Sequence, residues 1–320
     1  MTSTSRPLIT QAFVLGAGLG TRLRPLTNDL PKPLVPIFQK PLITFAFDHL
    51  IDNGIERFIV NTHRQPEAFA SVFPENKYRG LPIAFVNEPV LLETGGGIKN
   101  VEGQLGRDPF ITYSGDVLTD LPMERLIKQH LDLKNDVTLV LRRTGLGSQI
   151  ALREDRVVDI GNHRGVPGDY DFANIALWNA SIFKRLPPGQ KISFIPVLAN
   201  WISEGGKIGG VVIDEGKWFN IGSRADYLEV HRIISQGDWR PTFVKETDWP
   251  RAVHPSAMVD RSARIRGCSI VGKDCRVGAE AILEDTILWP GAQIASRSEL
   301  VCCIVRPQKK VSGAHRNIDI

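Results

Sequence analysis

The run Leu15-Gly16-Ala17-Gly18-Leu19-Gly20-Thr21-Arg22-Leu23-Arg24-Pro25-Leu26-Thr27, followed by Pro31-Lys32-Pro33, concentrates residue types that handle phosphate. A Gly-rich turn directly after a strand lets backbone N–H groups close around phosphate oxygens. Arg22 and Lys32 add fixed positive charge for a polyphosphate. Two other phosphate signatures fail on spacing. A dinucleotide fingerprint needs GxGxxG, and Thr21 stands where its last glycine belongs. A P-loop needs GxxxxGK followed by Ser or Thr, and no such run occurs. The plainer reading is an ordinary Gly-rich turn with surface cations.

Two further stretches carry chemistry. Asp116 follows Ser114-Gly115 at the end of an apolar run. A carboxylate there suits either a hard cation shared with phosphates or a simple turn. Glu93-Thr94-Gly95-Gly96-Gly97 reads as a pocket lining. Consecutive glycines let backbone approach a ligand closely, and the Thr94 hydroxyl and loop amides suit the edge of a base. Its alternative is a flexible loop before a helix starting near Ile98. Asp169, Tyr170, Asp171 and Asn174, around the start of a strand, suit contact with sugar hydroxyls.

Elements must position these groups. Short β-branched and aromatic runs predict strands at 12–15, 58–61, 83–87, 110–113, 137–141 and 172–177. Amphipathic stretches predict helices near 41–52, 66–73, 122–131, 193–203 and 224–234. In the first of these Leu42, Phe45, Ala46 and His49 or Leu50 recur at helical spacing, with Pro41 at the start and Asn53-Gly54 as a stop. The alternation points to an α/β fold with a mainly parallel, Rossmann-like sheet flanked by helices. Ligands in such sheets bind beyond the carboxyl ends of the strands.

After about Ser235 the texture changes. Counting in sixes from Val253 gives Val259, Ile265, Val271, Val277, Leu283, Trp289, Ala295 and Val301. Small residues, Ala257, Ala263, Ser269, Cys275 and Ala281, lie two positions earlier. This register predicts a C-terminal parallel β-helix of the left-handed type, built from hexapeptide repeats in about three coils. The expected domains are 1–235, a linker at 236–251, and a short β-helix at 252–320.

Composition bounds the function. With 39 basic and 35 acidic residues the net charge is +4, and no run of Lys and Arg forms a stripe for nucleic acid. No apolar stretch is long enough to span a membrane, and the polar start Met1–Arg6 reads as a frayed tail without a secretory pattern. Cys268, Cys275, Cys302 and Cys303 lack CxxC spacing and read as small buried thiols, so a cytoplasmic location is expected.

Gly16 to Pro33 resembles the signature of the sugar-nucleotide pyrophosphorylases, G-x-G-T-R-L-x-P-L-T and then K-P. Leu92-Glu93-Thr94-Gly95-Gly96-Gly97-Ile98, Ser114-Gly115-Asp116-Val117 and Trp218-Phe219-Asn220-Ile221-Gly222 occur in the family's order. The resemblance spans nearly the first 235 residues and is nearest the N-acetylmuramate-1-phosphate uridylyltransferase and mannose-1-phosphate guanylyltransferase branches. It implies an NTP, UTP or GTP favoured, and a sugar 1-phosphate as substrates, with Mg²⁺ as cofactor. It implies that Arg22 holds the triphosphate, Lys32 the phosphates flanking the reacting phosphorus, and Asp116 the metal. The implied nucleotide contacts are Leu15, Gly16, Ala17, Gly18, Gly20, Thr21, Arg22, Glu93, Thr94 and Gly95. Those for the sugar phosphate are Asp116, Asn174 and Asn220.

Two departures stand out. Asn220 occupies the place of a second metal-binding Asp, offering a carbonyl oxygen without the charge. Gly16 stands where many members have alanine. An NDP-sugar-sensing or regulatory paralogue is the alternative that Asn220 supports. An acyltransferase reading of the β-helix is weakened by its few coils, with His254 and His315 placed outside the regular core. A homo-oligomer joined through the β-helix is expected.

Overall fold

The computed structural model describes residues 9–147 and 149–320; Met1–Arg6 lies outside the described residues. In chain order, β1 (Gln11–Leu15) leads through three 3-10 turns to β2 (Pro36–Ile37) and β3 (Lys40–Pro41). Next come α1 (Leu42–Asp52), β4 (Arg57–Thr62), α2 (Pro66–Val72), β5 (Lys77–Tyr78) and β6 (Leu81–Asn87). They are followed by α3 (Glu93–Asn100), α4 (Glu102–Leu105), β7 (Phe110–Ser114), β8 (Val117–Thr119), α5 (Met123–Leu133) and β9 (Val137–Arg142). β10 (Ile150–Arg153), β11 (Arg156–Ile160), β12 (Asp171–Trp178), α6 (Phe194–Ser203), β13 (Ile208–Val212), β14 (Trp218–Asn220) and α7 (Arg224–Ser235) complete this part. Every strand and helix expected from periodicity is present, because each carries its own apolar face.

Contacts divide the chain into two compact units. The first comprises the residues up to Gly18 and 45–218. It holds a ten-stranded sheet in the order β10-β11-β13-β9-β12-β7-β1-β4-β6-β5. The run β7-β1-β4-β6 is parallel, whereas β12 lies antiparallel to both β7 and β9. The sheet is therefore mixed, not mainly parallel. The cause is the connection: between β9 and β12 the chain makes the β10–β11 hairpin and no crossover helix, so it returns in the opposite direction. Phe13, Ile59, Ile98, Phe110, Trp178 and Leu198 are buried in the core of this unit.

The second unit comprises 19–44 and 219–320. The segment from Leu19 to Thr44 therefore groups with the C-terminal third, and the contact boundary differs from the composition boundaries at 235 and 252. Hydrogen bonds explain why. Tyr227 on α7 donates to the Pro36 carbonyl at 2.6 Å and accepts from Trp289 Nε1 at 3.0 Å. Gln39 donates to the Val271 carbonyl, and Trp249 to that of Ile37. Lys40 pairs with Glu246 at 2.6 Å.

Residues 258–316 form three parallel sheets of four, four and three short strands, consistent with a β-helix. Val259, Val277, Ile294 and Val311 align in one, and Val271, Leu288 and Val305 in another. The six-residue register holds through Leu283 and then slips. Leu288, Ile294 and Leu300 join the apolar core, while Trp289, Ala295 and Val301 do not. The later spacing between paired strands is a residue shorter, since Arg264 pairs with Ile282 but Ile282 with Glu299. The slip frees Trp289 to reach Tyr227. His315, expected outside the regular core, sits in the last strand opposite Leu300. All four cysteines are free, but only Cys275 and Cys303 are buried; Cys268 and Cys302 are half-exposed.

Candidate active site

In the first unit β1, β4 and β7 end together. Leu15 registers with Asn61 and with Ser114, and the Gly115 amide donates to the Leu15 carbonyl at 2.9 Å. Past these ends the backbone turns through Gly16 and Gly115. Ser114 Oγ donates to Asp116 Oδ1 at 2.6 Å, which orients the half-buried carboxylate. The Gly16 amide donates to Asn61 Oδ1 at 2.8 Å. A Cβ on Gly16 would lie 2.7 Å from the Asn61 carbonyl oxygen, so glycine is required here. At Gly18 a Cβ would meet nothing within 4 Å, and protein packing does not account for that glycine.

The Gly-rich stretch after Leu92 is already helix. α3 begins at Glu93, not near Ile98, and Gly95, Gly96 and Gly97 are buried in it. What the glycines admit is the chain's own backbone. The amides of Gly95 and Gly96 both donate to the Ile192 carbonyl, at 2.8 and 3.0 Å, and the Phe194 amide donates to Thr94 Oγ1 at 3.3 Å. Glu93 takes a left-handed φ of 61° and faces Lys191 at 3.6 Å. Asn174 lies in the irregularity of β12 with φ 63°. Asp171, three residues earlier in the same strand, is tied to the 144–146 loop by Thr144 Oγ1 at 2.7 Å and the Leu146 amide at 3.0 Å.

The second unit carries Gly20, Thr21, Arg22, Lys32 and Asn220. Gly20 has φ 60°, and a Cβ there would lie 2.9 Å from Thr27 and 3.2 Å from the Lys32 Cβ. The close approach at Gly20 brings the stem of Lys32 against the glycine turn. Lys32 is 7% exposed, between Pro31 and Pro33 in a short 3-10 turn. Arg22 is exposed, and its guanidinium lies over Gly222, where a Cβ would be 3.2–3.3 Å from three of its atoms. Asn220 is half-buried in β14, and its carbonyl accepts from the Gly222 amide at 2.7 Å. Ser223 and Asp226 then form a capping box that starts α7.

Sequence reading missed Asn61 and Glu88. Both are polar residues closing apolar runs, the position where sheet ligands and their supports collect; that signal was available. Among the described residues no three His, Cys, Asp or Glu side chains gather to hold a metal ion. A cation at Asp116 would thus draw most ligands from phosphate and water, which suits Mg²⁺ and its oxygen preference. Among the described residues no helix is long and apolar enough to cross a membrane.

Comparison with known proteins identifies the family. A family model described as Nucleotidyl transferase matches residues 11–148. The chain is 31% identical over 302 residues to the mannose-1-phosphate guanylyltransferase of Mycobacterium tuberculosis, across 92% of this chain and 83% of that protein. It is 33% identical over 191 residues to the D-glycero-alpha-D-manno-heptose 1-phosphate guanylyltransferase of Aneurinibacillus thermoaerophilus, across 58% and 81%. In fold it is similar to the inositol-1-phosphate CTP transferase from T. maritima, with TM-score 0.59 and 21% identity over 69% of this chain and 93% of that one.

Proposed function

This chain belongs to the sugar-1-phosphate nucleotidyltransferase family of enzymes, and we propose that it joins an NTP to a sugar 1-phosphate, releasing pyrophosphate. The observation that carries the reading is Asp116, held by Ser114 at the carboxyl end of a parallel strand whose neighbour runs into Gly16 and Gly18. Of the two bases favoured from sequence, the guanylyltransferase relatives support GTP, with a hexose or heptose 1-phosphate as acceptor.

A sugar-phosphate oxygen attacks the α-phosphorus, the new P–O bond forms, and the bond to pyrophosphate breaks. Two anions must approach, so cations matter more than any protein nucleophile. Arg22 is assigned to the triphosphate, and buried Lys32 to the phosphates beside the reacting phosphorus. Gly18, with no protein atom near its missing side chain, suits close approach of phosphate oxygens to the main chain. Mg²⁺ held by Asp116, with the Asn220 carbonyl oxygen as a weaker donor, would neutralise charge on the phosphates. Glu93, Thr94 and Gly95 are assigned to the nucleotide side, although the Gly95 amide already serves Ile192. Asn174 is assigned to the sugar.

The β-helix reading of the three C-terminal sheets, pairing of two copies through that coil, and a cytoplasmic location belong to the same proposal. Sedimentation of the full chain as a strict monomer would remove the pairing. The central test crosses five NTPs with a panel of sugar 1-phosphates and reads pyrophosphate. Release from one combination is expected, and Asp116→Asn should lower turnover at least ~10²-fold, the scale of one strong electrostatic stabiliser. Nucleotide binding without release from any pair would instead favour an NDP-sugar sensor, with Asn220 as its cause.

A further inference from the structure

We propose that Asn61 and Glu88 are positioning residues forming a hydrogen-bond relay of fixed polarity that sets the phosphate turn against the start of α3. The functional meaning rests on the nucleotidyl-transfer reading; the relay itself does not. β4 and β6 are parallel neighbours, Thr62 registers with Asn87, and the Glu88 amide extends the ladder to the Thr62 carbonyl at 2.7 Å. That register sets Glu88 beside Asn61, and the two side chains meet 3% and 1% exposed. Gly16 N–H donates to Asn61 Oδ1 at 2.8 Å, Asn61 Nδ2 donates to Glu88 Oε1 at 2.8 Å, and Leu92 N–H donates to Glu88 Oε2 at 3.0 Å. Gly97 closes the site. A Cβ there would lie 3.1 Å from Glu88 Oε1 and 3.2 Å from Asn61 Nδ2.

Both ends of this relay are backbone donors, which dictates its middle. One side chain must accept and donate, and the other must accept twice. Glu88→Gln turns an amide NH₂ toward either Asn61 Nδ2 or the Leu92 N–H, donor against donor. Asn61→Asp sets two acceptors face to face. Made together, the two changes restore every bond with the polarity of the central link reversed. Gly16 N–H then donates to Asp at 61, Gln at 88 donates to that Asp, and Leu92 N–H donates to the Gln oxygen. Proton count and formal charge are unchanged.

The experiment compares both single variants and the double by amide hydrogen exchange without ligand, and by steady-state kinetics. Each single should speed exchange at Gly16 and Leu92 and raise KM for the NTP about ten- to a hundredfold, the cost of stranding a buried polar group. KM for the sugar 1-phosphate should stay within about twofold, on the same grounds. The double should recover slow exchange and most of the KM. Where a single fails to fold, recovery of folding in the double supports the relay equally. Unchanged exchange in the singles, or a double no better than its worse parent, overturns it. So does a change of preferred base in Glu88→Gln with exchange intact, since Glu88 would then read the nucleotide. If the wild type releases no pyrophosphate, the transfer reading fails while the exchange data still decide the relay.

Discussion

Gly96 shows how tightly a single residue is constrained by partners far away in sequence. A Cβ there would sit 2.3 Å from the Gln190 carbonyl oxygen and 2.9 Å from the Leu92 Cβ. Gly96→Ala should therefore destabilise the protein by about 1–3 kcal/mol, the range for overpacking. Gly103 in α4 makes the matched control, since a Cβ there meets nothing within 4 Å. Gly103→Ala should be neutral or stabilising by up to about 1 kcal/mol, through the unfolded chain. Urea midpoints of the two variants moving in opposite directions would bear this out; equal shifts would not. Residue types alone marked Gly16–Lys32 and Asp116 for the phosphate and metal roles proposed above, because phosphate chemistry has few solutions. Asn61 and Glu88 escaped notice because neither names its partner until strands β4 and β6 are in register.

At the scale of elements, local pattern was a good guide to existence and a poor one to direction. β12 carries the apolar run expected of a strand, but nothing local says that it runs antiparallel. That depends on what the chain does between β9 and β12. Likewise the buried positions of the C-terminal sheets follow sixes only until the spacing loses a residue. α7 shows what the slip accomplishes, since Tyr227 lies between Pro36 and Trp289. Tyr227→Phe would take this donor from the part-buried Pro36 carbonyl and leave a buried indole N–H unpaired. The expected loss is about 2–6 kcal/mol, from roughly 1–3 for each stranded group. Chemical denaturation read by tryptophan fluorescence measures it; a loss under about 0.5 kcal/mol would mean that neither bond matters.

At the scale of the whole molecule, each unit hides a neutral imidazole. Burial holds the His49 pKa at about 4, below the ordinary 6.5, with the backbone at Leu121 and the carboxylates of Asp120 and Asp52 only partly opposing it. Burial likewise holds His231 at about 4. His231 Nδ1 donates to the Tyr227 carbonyl and Nε2 accepts from the Phe38 amide, while the Tyr227 and Pro36 backbone oppose the effect of burial only in part. The unfolded chain takes up protons near pH 6.5, the folded chain only near pH 4. Their stabilisation is therefore complete above pH 6.5, falls as pH drops toward 4, and is level below it. Each site contributes on the order of 3 kcal/mol at most. Urea midpoints should decline across that window, and a flat profile would mean these rings are not buried neutral. The sequence by itself determined the family and the strands and helices, and it supplied the residues proposed to handle phosphate and the six-residue spacing, since each is written in local composition and spacing. Tertiary structure alone decided the mixed sheet, the grouping of 19–44 with the C-terminal third, the slip at Leu288 and the Asn61–Glu88 pair. Those depend on register and connection between distant segments, and hydrogen-bond partners set by register carry no mark in local sequence.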